Sequence, residues 1–190
     1  MPRIDQFRFY ANALKKHGVS ARGVAWADRQ RQQRRFAALV RATGSLREYS
    51  VTDAGCGTGA LWFFLQEQAQ TPKKYTGLDT HPDMVRAARE STGQTILRRD
   101  ILTDTLPESD WYLLSGTLNL LTRFETLLAI KRCADAARVG MVFNLLKGRD
   151  TSPTYNYWLP KEIKKACAAL GRVRIDEGYL EGDMTVRITF

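Results

Sequence analysis

The chain has 190 residues, 44% of them hydrophobic and 26% charged, with a formal net charge of +9. These values suit one core-forming domain and exclude a disordered, collagen-like or coiled-coil chain, and no apolar run reaches the ~20 residues of a membrane span. Three cysteines (Cys56, Cys133, Cys167) and two histidines (His17, His81) form neither a disulfide framework nor a metal-ligand spacing, so no metal is expected.

Residues 4–17 place Phe7, Tyr10 and Leu14 at helical spacing, and Gly18 stops that predicted helix. The opening, MPRIDQFRFYANALKKHG, lacks an apolar signal core, so a cytoplasmic protein is expected. SARGVAW, ending in Trp26, reads as a loop. Residues 27–42 are strong helix formers with apolar Phe36, Leu39 and Val40, closed by Gly44. Charge is concentrated here. Residues 1–50 hold eleven Lys/Arg against three acids, whereas residues 51–190 hold eighteen against seventeen. Arg29, Arg31, Arg34 and Arg35 form a basic stripe, readable as a solvated helix face or as a dock for an anionic partner such as RNA.

From residue 49 strands and helices alternate. Strands are predicted at 49–54, 73–79, 94–100, 110–116 and 139–147, with helices at 60–69, 82–90, 122–138 and 160–170. Two last strands, 171–176 and 184–190, have no helix between them and predict an antiparallel hairpin. The alternation implies βαβ units around a mostly parallel sheet.

The stretch VTDAGCGTGA (51–60) joins a strand to a helix. Gly55, Gly57 and Gly59 allow a tight turn and leave the backbone open to a ligand, next to the free N–H groups of a helix start. Asp79 ends the second strand, where a carboxylate can accept from two ribose hydroxyls. Gly55-x-Gly57-x-x-Ala60 also satisfies the dinucleotide pattern, so NAD and S-adenosylmethionine compete. Asp53 tilts the reading away from NAD, because a carboxylate there repels pyrophosphate and attracts an ammonium. Cys56 reads as a small loop residue.

The motif Asp53-Ala-Gly55-Cys-Gly57-Thr-Gly59, Asp79 after GL, Arg99-Asp100-Ile101 and the strand Asp110–Gly116 resemble the successive motifs of class I S-adenosylmethionine-dependent methyltransferases, small stand-alone bacterial members included. The resemblance implies an α/β Rossmann-like three-layer sandwich, with a seven-stranded, mostly parallel sheet whose last strand is antiparallel. It implies a methyltransferase domain at 49–190 preceded by a helical lid or substrate segment at 1–48. The cofactor would be S-adenosylmethionine and the product S-adenosylhomocysteine. Carried onto this sequence, Asp53, Gly55, Gly57 and Gly59 would line the methionine and ribose. Asp79 would hold the ribose hydroxyls, with Thr80 and His81 beside the adenine. Asp100 would accept from the adenine amino group, Ile101 would pack on its ring, and Ser115 and Gly116 would lie under the methionine.

On the acceptor side the reading leaves alternatives open. An in-line methyl transfer needs proximity and dehydration more than a dedicated base. SGTLNLL replaces the Asn-Pro-Pro-Tyr-type motif of exocyclic-amine methyltransferases, so Asn119 either orients substrate or caps a helix. In the loop 148–160, Tyr155, Tyr157 and Trp158 either wall the pocket or pack beneath it, with Tyr157 the other catalytic candidate. Tyr10 and Trp26 are lid candidates. A small-molecule acceptor is the expectation, and RNA docked on the basic N-terminal helices is the alternative.

Overall fold

The computed structural model describes residues 29–190. Helix α1 (Arg29–Thr43) precedes β1 (Ser50–Ala54), α2 (Ala60–Glu67), β2 (Lys74–Asp79), α3 (Pro82–Thr92), β3 (Thr95–Arg98) and β4 (Ser109–Leu114). Then come a 3-10 turn (Thr117–Leu120), α4 (Arg123–Ala136), β5 (Ala137–Lys147), β6 (Tyr157–Trp158), α5 (Pro160–Cys167), β7 (Arg172–Glu177) and β8 (Asp183–Thr189). The expected helix at 4–17, and with it Tyr10 and Trp26, lies outside the described residues.

The strands form one sheet in the order β3-β2-β1-β4-β5-β8-β7, with β6 beside β5. β1 to β5 run parallel, and β8 runs antiparallel to both β5 and β7. The expected seven strands are that path. An eighth, the two-residue β6, pairs with β5 at Leu146 and Lys147, beyond the last β4 pair, Leu114–Phe143.

Period-two alternation builds the two faces of the sheet. On β4, Trp111 and Leu113 face one buried cluster with Phe36, Leu39, Leu61, Phe64 and Val85. Tyr112 and Leu114 face the other, with Ile130, Cys133, Phe143, Ile163 and Val186. Thus α1, α2 and α3 cover one face, and α4 and α5 cover the other. This is the three-layer sandwich.

Helix α1 is part of this core. Phe36 stacks against Phe64 with ring centroids 5.6 Å apart. Arg35 donates Nε and a terminal nitrogen to the two carboxylate oxygens of Asp183 at 2.7 and 2.9 Å. Arg35 is 8% exposed and Asp183 1%. Arg41 pairs with Asp176, and Arg187 donates to the Ala42 carbonyl at the helix end.

Candidate functional site

Strand order reverses between β1 and β4, since the chain leaves β1 toward β2 on one side and returns to β4 on the other. In an open α/β sheet the crevice at the carboxyl ends of such strands is where a ligand sits. The glycine loop lies there. Its backbone is held to β2 by Gly55 N–H and Cys56 N–H, both donating to the Leu78 carbonyl at 2.8 and 2.9 Å. Gly55 has φ 81°, and a Cβ on it would stand 2.3 Å from Thr117 Oγ1. That hydroxyl donates to the Ala54 carbonyl at 2.7 Å and ties the loop to the β4 edge. Gly59, at φ 85°, starts α2.

Asp79 stands across from the loop. Its Oδ2 accepts Gly57 N–H and its Oδ1 accepts His81 N–H, each at 2.9 Å. Each carboxylate oxygen keeps a further acceptor position for a diol. Burial pushes the Asp79 pKa up, while the two N–H groups oppose that.

Asp53 is buried and accepts the Tyr75 hydroxyl at 2.6 Å. Burial raises its carboxyl to about 7, with Asp79 adding to the rise and the Tyr75 bond opposing it. It sits in the interior at the base of the loop. Burial also pushes the Cys56 thiol well up, helped by Asp53 and Asp79, which makes it an inert small residue.

The remaining residues expected around a cofactor fall at the ends of β2, β3 and β4. Thr80 is exposed, and its carbonyl accepts Arg98 Nε. His81 caps α3, its Nδ1 accepting Asp83 N–H at 3.3 Å. Asp100 uses Oδ1 to accept Leu102 N–H at 2.8 Å, so it shapes a turn. Ile101 is 8% exposed and belongs to the core cluster under β4. Gly116, at φ 78°, opens the 3-10 turn. Ser115 donates to Asn144 Oδ1 at 3.0 Å.

That last bond leads into a network the sequence reading missed. Asn144 Nδ2 donates to Thr185 Oγ1 at 2.8 Å and to the Tyr179 hydroxyl at 3.2 Å. The signal was present: Asn144 interrupts the otherwise apolar VFNLL of a buried strand.

On the acceptor side several expectations change. Helix α4 is capped by Thr122 in a capping box with Glu125, so Asn119 is no cap. Asn119 lies in the 3-10 turn, 7% exposed, its Oδ1 buried and without a hydrogen-bond partner. Trp158 takes the packing alternative: pairing in β6 leaves it 2% exposed in the core, with the Arg123 guanidinium 3.7 Å above its ring. Tyr157 shares that strand, and its carbonyl accepts Arg123 at 3.0 Å. Tyr155 remains outside, 38% exposed. The basic stripe is divided as well, because Arg35 is buried while Arg29, Arg31 and Arg34 are exposed. Among the described residues no His, Cys, Asp and Glu cluster could hold a metal. No described helix is long and apolar enough to cross a membrane.

Residues 46–183 match the family described as methyltransferase domain. No curated protein matches the sequence. Among solved structures, magnesium protoporphyrin IX methyltransferase (ChlM) from Synechocystis PCC 6803, with bound SAM, is similar at 17% identity. The match covers 100% of this chain and 99% of that one, with TM-score 0.71. A TehB-like SAM-dependent methyltransferase from Corynebacterium glutamicum is 17% identical over 96% of this chain and 97% of that one, with TM-score 0.68. DhpI, in its complex with SAM and HEP, is 16% identical over 96% and 94%, with TM-score 0.73. At such identities the likeness is one of fold.

Proposed function

Because the chain belongs to the methyltransferase-domain family and is an S-adenosylmethionine-dependent enzyme, we propose that it methylates a small-molecule acceptor. One observation carries the choice of acceptor class. Arg35, inside the basic stripe of α1, is buried against Asp183 and is withdrawn from any phosphate-docking face. What remains of the stripe, Arg29, Arg31 and Arg34, is exposed and spread around α1 rather than gathered on one face.

The residues at the crevice fit the cofactor. Gly55, Gly57 and Gly59 all take a positive φ that lets the loop turn back over β2 with its backbone bare of side chains, and Asp79 keeps acceptor capacity on both oxygens. Bound there, S-adenosylmethionine supplies a methyl group on a sulfonium, already activated toward a nucleophile. Asp79 holds the ribose hydroxyls, with Thr80 and His81 beside the base. Asp100 accepts from the adenine amino group through the oxygen its turn leaves free, and Ile101 closes the floor. The backbone of Gly55, Gly57 and Gly59, with Ser115 and Gly116, lines the methionine end, and Asp53 offers its ammonium a charge from below. Asn119 orients the acceptor, and Tyr155 with the segment before residue 29 shields the site from water. Tyr157 serves through its place in β6. Positioning and dehydration carry the rate, without an obligatory base.

The test is unfolding with S-adenosylmethionine, S-adenosylhomocysteine or NAD, for the wild type and Asp79→Ala. At a hundred times its Kd a ligand stabilises by ~2.7 kcal/mol. The first two should do so, NAD should not, and the variant should lose the effect. Methyl label should then enter the metabolite fraction of an extract. Stabilisation by NAD alone, or label in RNA only, would overturn the reading. The charge of residues 1–50, eleven Lys/Arg against three acids, is what keeps RNA as the competing substrate.

A further inference from the structure

Beyond β3 the chain makes a single turn over residues 100–104. The Asp100 carbonyl accepts Thr103 N–H at 3.2 Å and Asp104 N–H at 2.9 Å. Two carboxylates close the turn on itself. Asp100 Oδ1 accepts Leu102 N–H at 2.8 Å, and Asp104 Oδ2 accepts Asp100 N–H at 2.9 Å. One turn of this kind is marginal by itself, because few bonds repay the dihedrals it fixes. Its start is tied to the site, since Arg99 N–H donates to the Asp79 carbonyl at 3.0 Å. Its inner side is anchored by Ile101 in the core under β4, with Leu102 packed against that core.

The turn's own carbonyls are answered from α4. Arg132 Nε donates to the Ile101 carbonyl at 2.8 Å, and a terminal nitrogen of the same guanidinium donates to the Asp104 carbonyl. The Ile101 carbonyl and the Leu102 N–H belong to one planar peptide group. Arg132 therefore holds the oxygen of that peptide while Asp100 Oδ1 holds its hydrogen. Packing of Ile101 sets the depth of the turn. The clamp on two carbonyls also fixes the rotation of the peptide, and with it the direction of the Asp100 carboxylate. Such a fork of charge-assisted donors is one that a lysine cannot reproduce.

Resting on the reading above that Asp100 accepts from the adenine amino group, we propose that Arg132 is a positioning residue for base recognition. It fixes the peptide between Ile101 and Leu102, that peptide fixes Asp100 Oδ1, and Oδ2 is thereby held to accept from a purine 6-amino group. Acting through Asp100, Arg132 sets a preference for adenine over a 6-oxo purine.

Calorimetric titration with S-adenosylhomocysteine and with S-inosylhomocysteine, which carries oxygen in place of the 6-amino group, tests this. The wild type should bind the first at least about tenfold more tightly, since the second sets an acceptor against the Asp100 carboxylate. Arg132→Met keeps an apolar stem and removes the donors. It should bring the ratio to about threefold or less, through loss of S-adenosylhomocysteine affinity. Arg132→Lys, which can donate to one carbonyl, should fall between. Amide hydrogen exchange at Leu102 should quicken in both ligand-free variants. An unchanged ratio, even with both affinities lowered together, would make Arg132 merely structural and overturn the proposal. Should Arg132→Met not fold, the ratio in Arg132→Lys decides. Asp100→Asn tests the premise separately, because its amide can cap Leu102 N–H and turn a donor to the 6-oxo group, so the preference should shrink or reverse. A ratio unmoved in that variant would remove the adenine contact, and the proposal with it. No binding of S-adenosylhomocysteine to the wild type would strike the methyl-transfer reading itself, whereas binding with an unchanged ratio in the Arg132 variants strikes only the role given to Arg132.

Discussion

Asp53 shows how one side chain can oppose the fold that contains it. Its carboxyl titrates near 3.8 in an unconstrained chain and at about 7 in the folded protein, chiefly because burial disfavours the charge. Between those values the folded state holds a proton that the unfolded state has released. Stability from this group is fully present below the unfolded value, falls as pH rises, and is lost above the folded one. The predicted loss between pH 4 and 8 is on the order of 2–4 kcal/mol. Asp53→Asn keeps an acceptor for the Tyr75 hydroxyl and removes the titration. Urea unfolding at pH 5 and pH 8 should show a smaller difference in the variant. Asp79 shifts in the same direction and will leave a residual slope. An unchanged difference would mean that Asp53 does not titrate in this window. The proposed contact with a ligand ammonium needs the ionised form, so the fold is least favoured where the site is best charged.

At the scale of the element, α1 is held by two ion pairs of very different character. Arg35–Asp183 is buried, whereas both side chains of Arg41–Asp176 are over 40% exposed. Removing one partner of a buried pair strands the other charge, so Arg35→Ala should cost roughly 3–5 kcal/mol. Arg41→Ala should cost about 0–1 kcal/mol. Denaturant midpoints at constant slope distinguish them, and an Arg35→Met/Asp183→Leu pair should recover most of the loss. The same contrast explains what could be read from the sequence. The β1 glycine loop, Asp79 and the strand–helix alternation were legible because their signals are local: a period of two, a turn, a cap. Arg35 was not, since RQQRRF looks like a solvated face and the partner that buries it is 148 residues away. Strand β6 has two residues and so no period to detect, and it exists because β5 outruns β4. Trp158 and Asn119 were ambiguous for a related reason, as burial within a loop depends on neighbours that no spacing encodes.

For the whole molecule, charge distribution frames the test between the two acceptor classes. Almost all of the +9 lies before residue 51, ahead of the glycine loop, and the chain beyond is nearly neutral. Such a surface attracts any polyanion through counterion release, whether or not a docking site exists. Binding alone therefore cannot identify an RNA substrate, and the form of its salt dependence is more informative. Among the described residues, with Arg35 buried and the exposed arginines spread over α1, few phosphates can be neutralised together. We expect the affinity for structured RNA to fall with log salt at a shallow slope, of about −2 to −3, near 0.7–0.9 per phosphate contact. It should be equal for unrelated RNAs and reduced by Arg29→Glu/Arg34→Glu. Neither side chain is among the residues placed around the cofactor, so stabilisation by S-adenosylhomocysteine should be unchanged. A steep slope confined to one RNA, with methyl label entering it and lost in the double variant, would make the basic region a substrate dock. A shallow, indiscriminate slope would make it a solvated face, as the burial of Arg35 already argues. The positive field would then act on approach only, drawing anionic ligands toward the molecule without selecting among them.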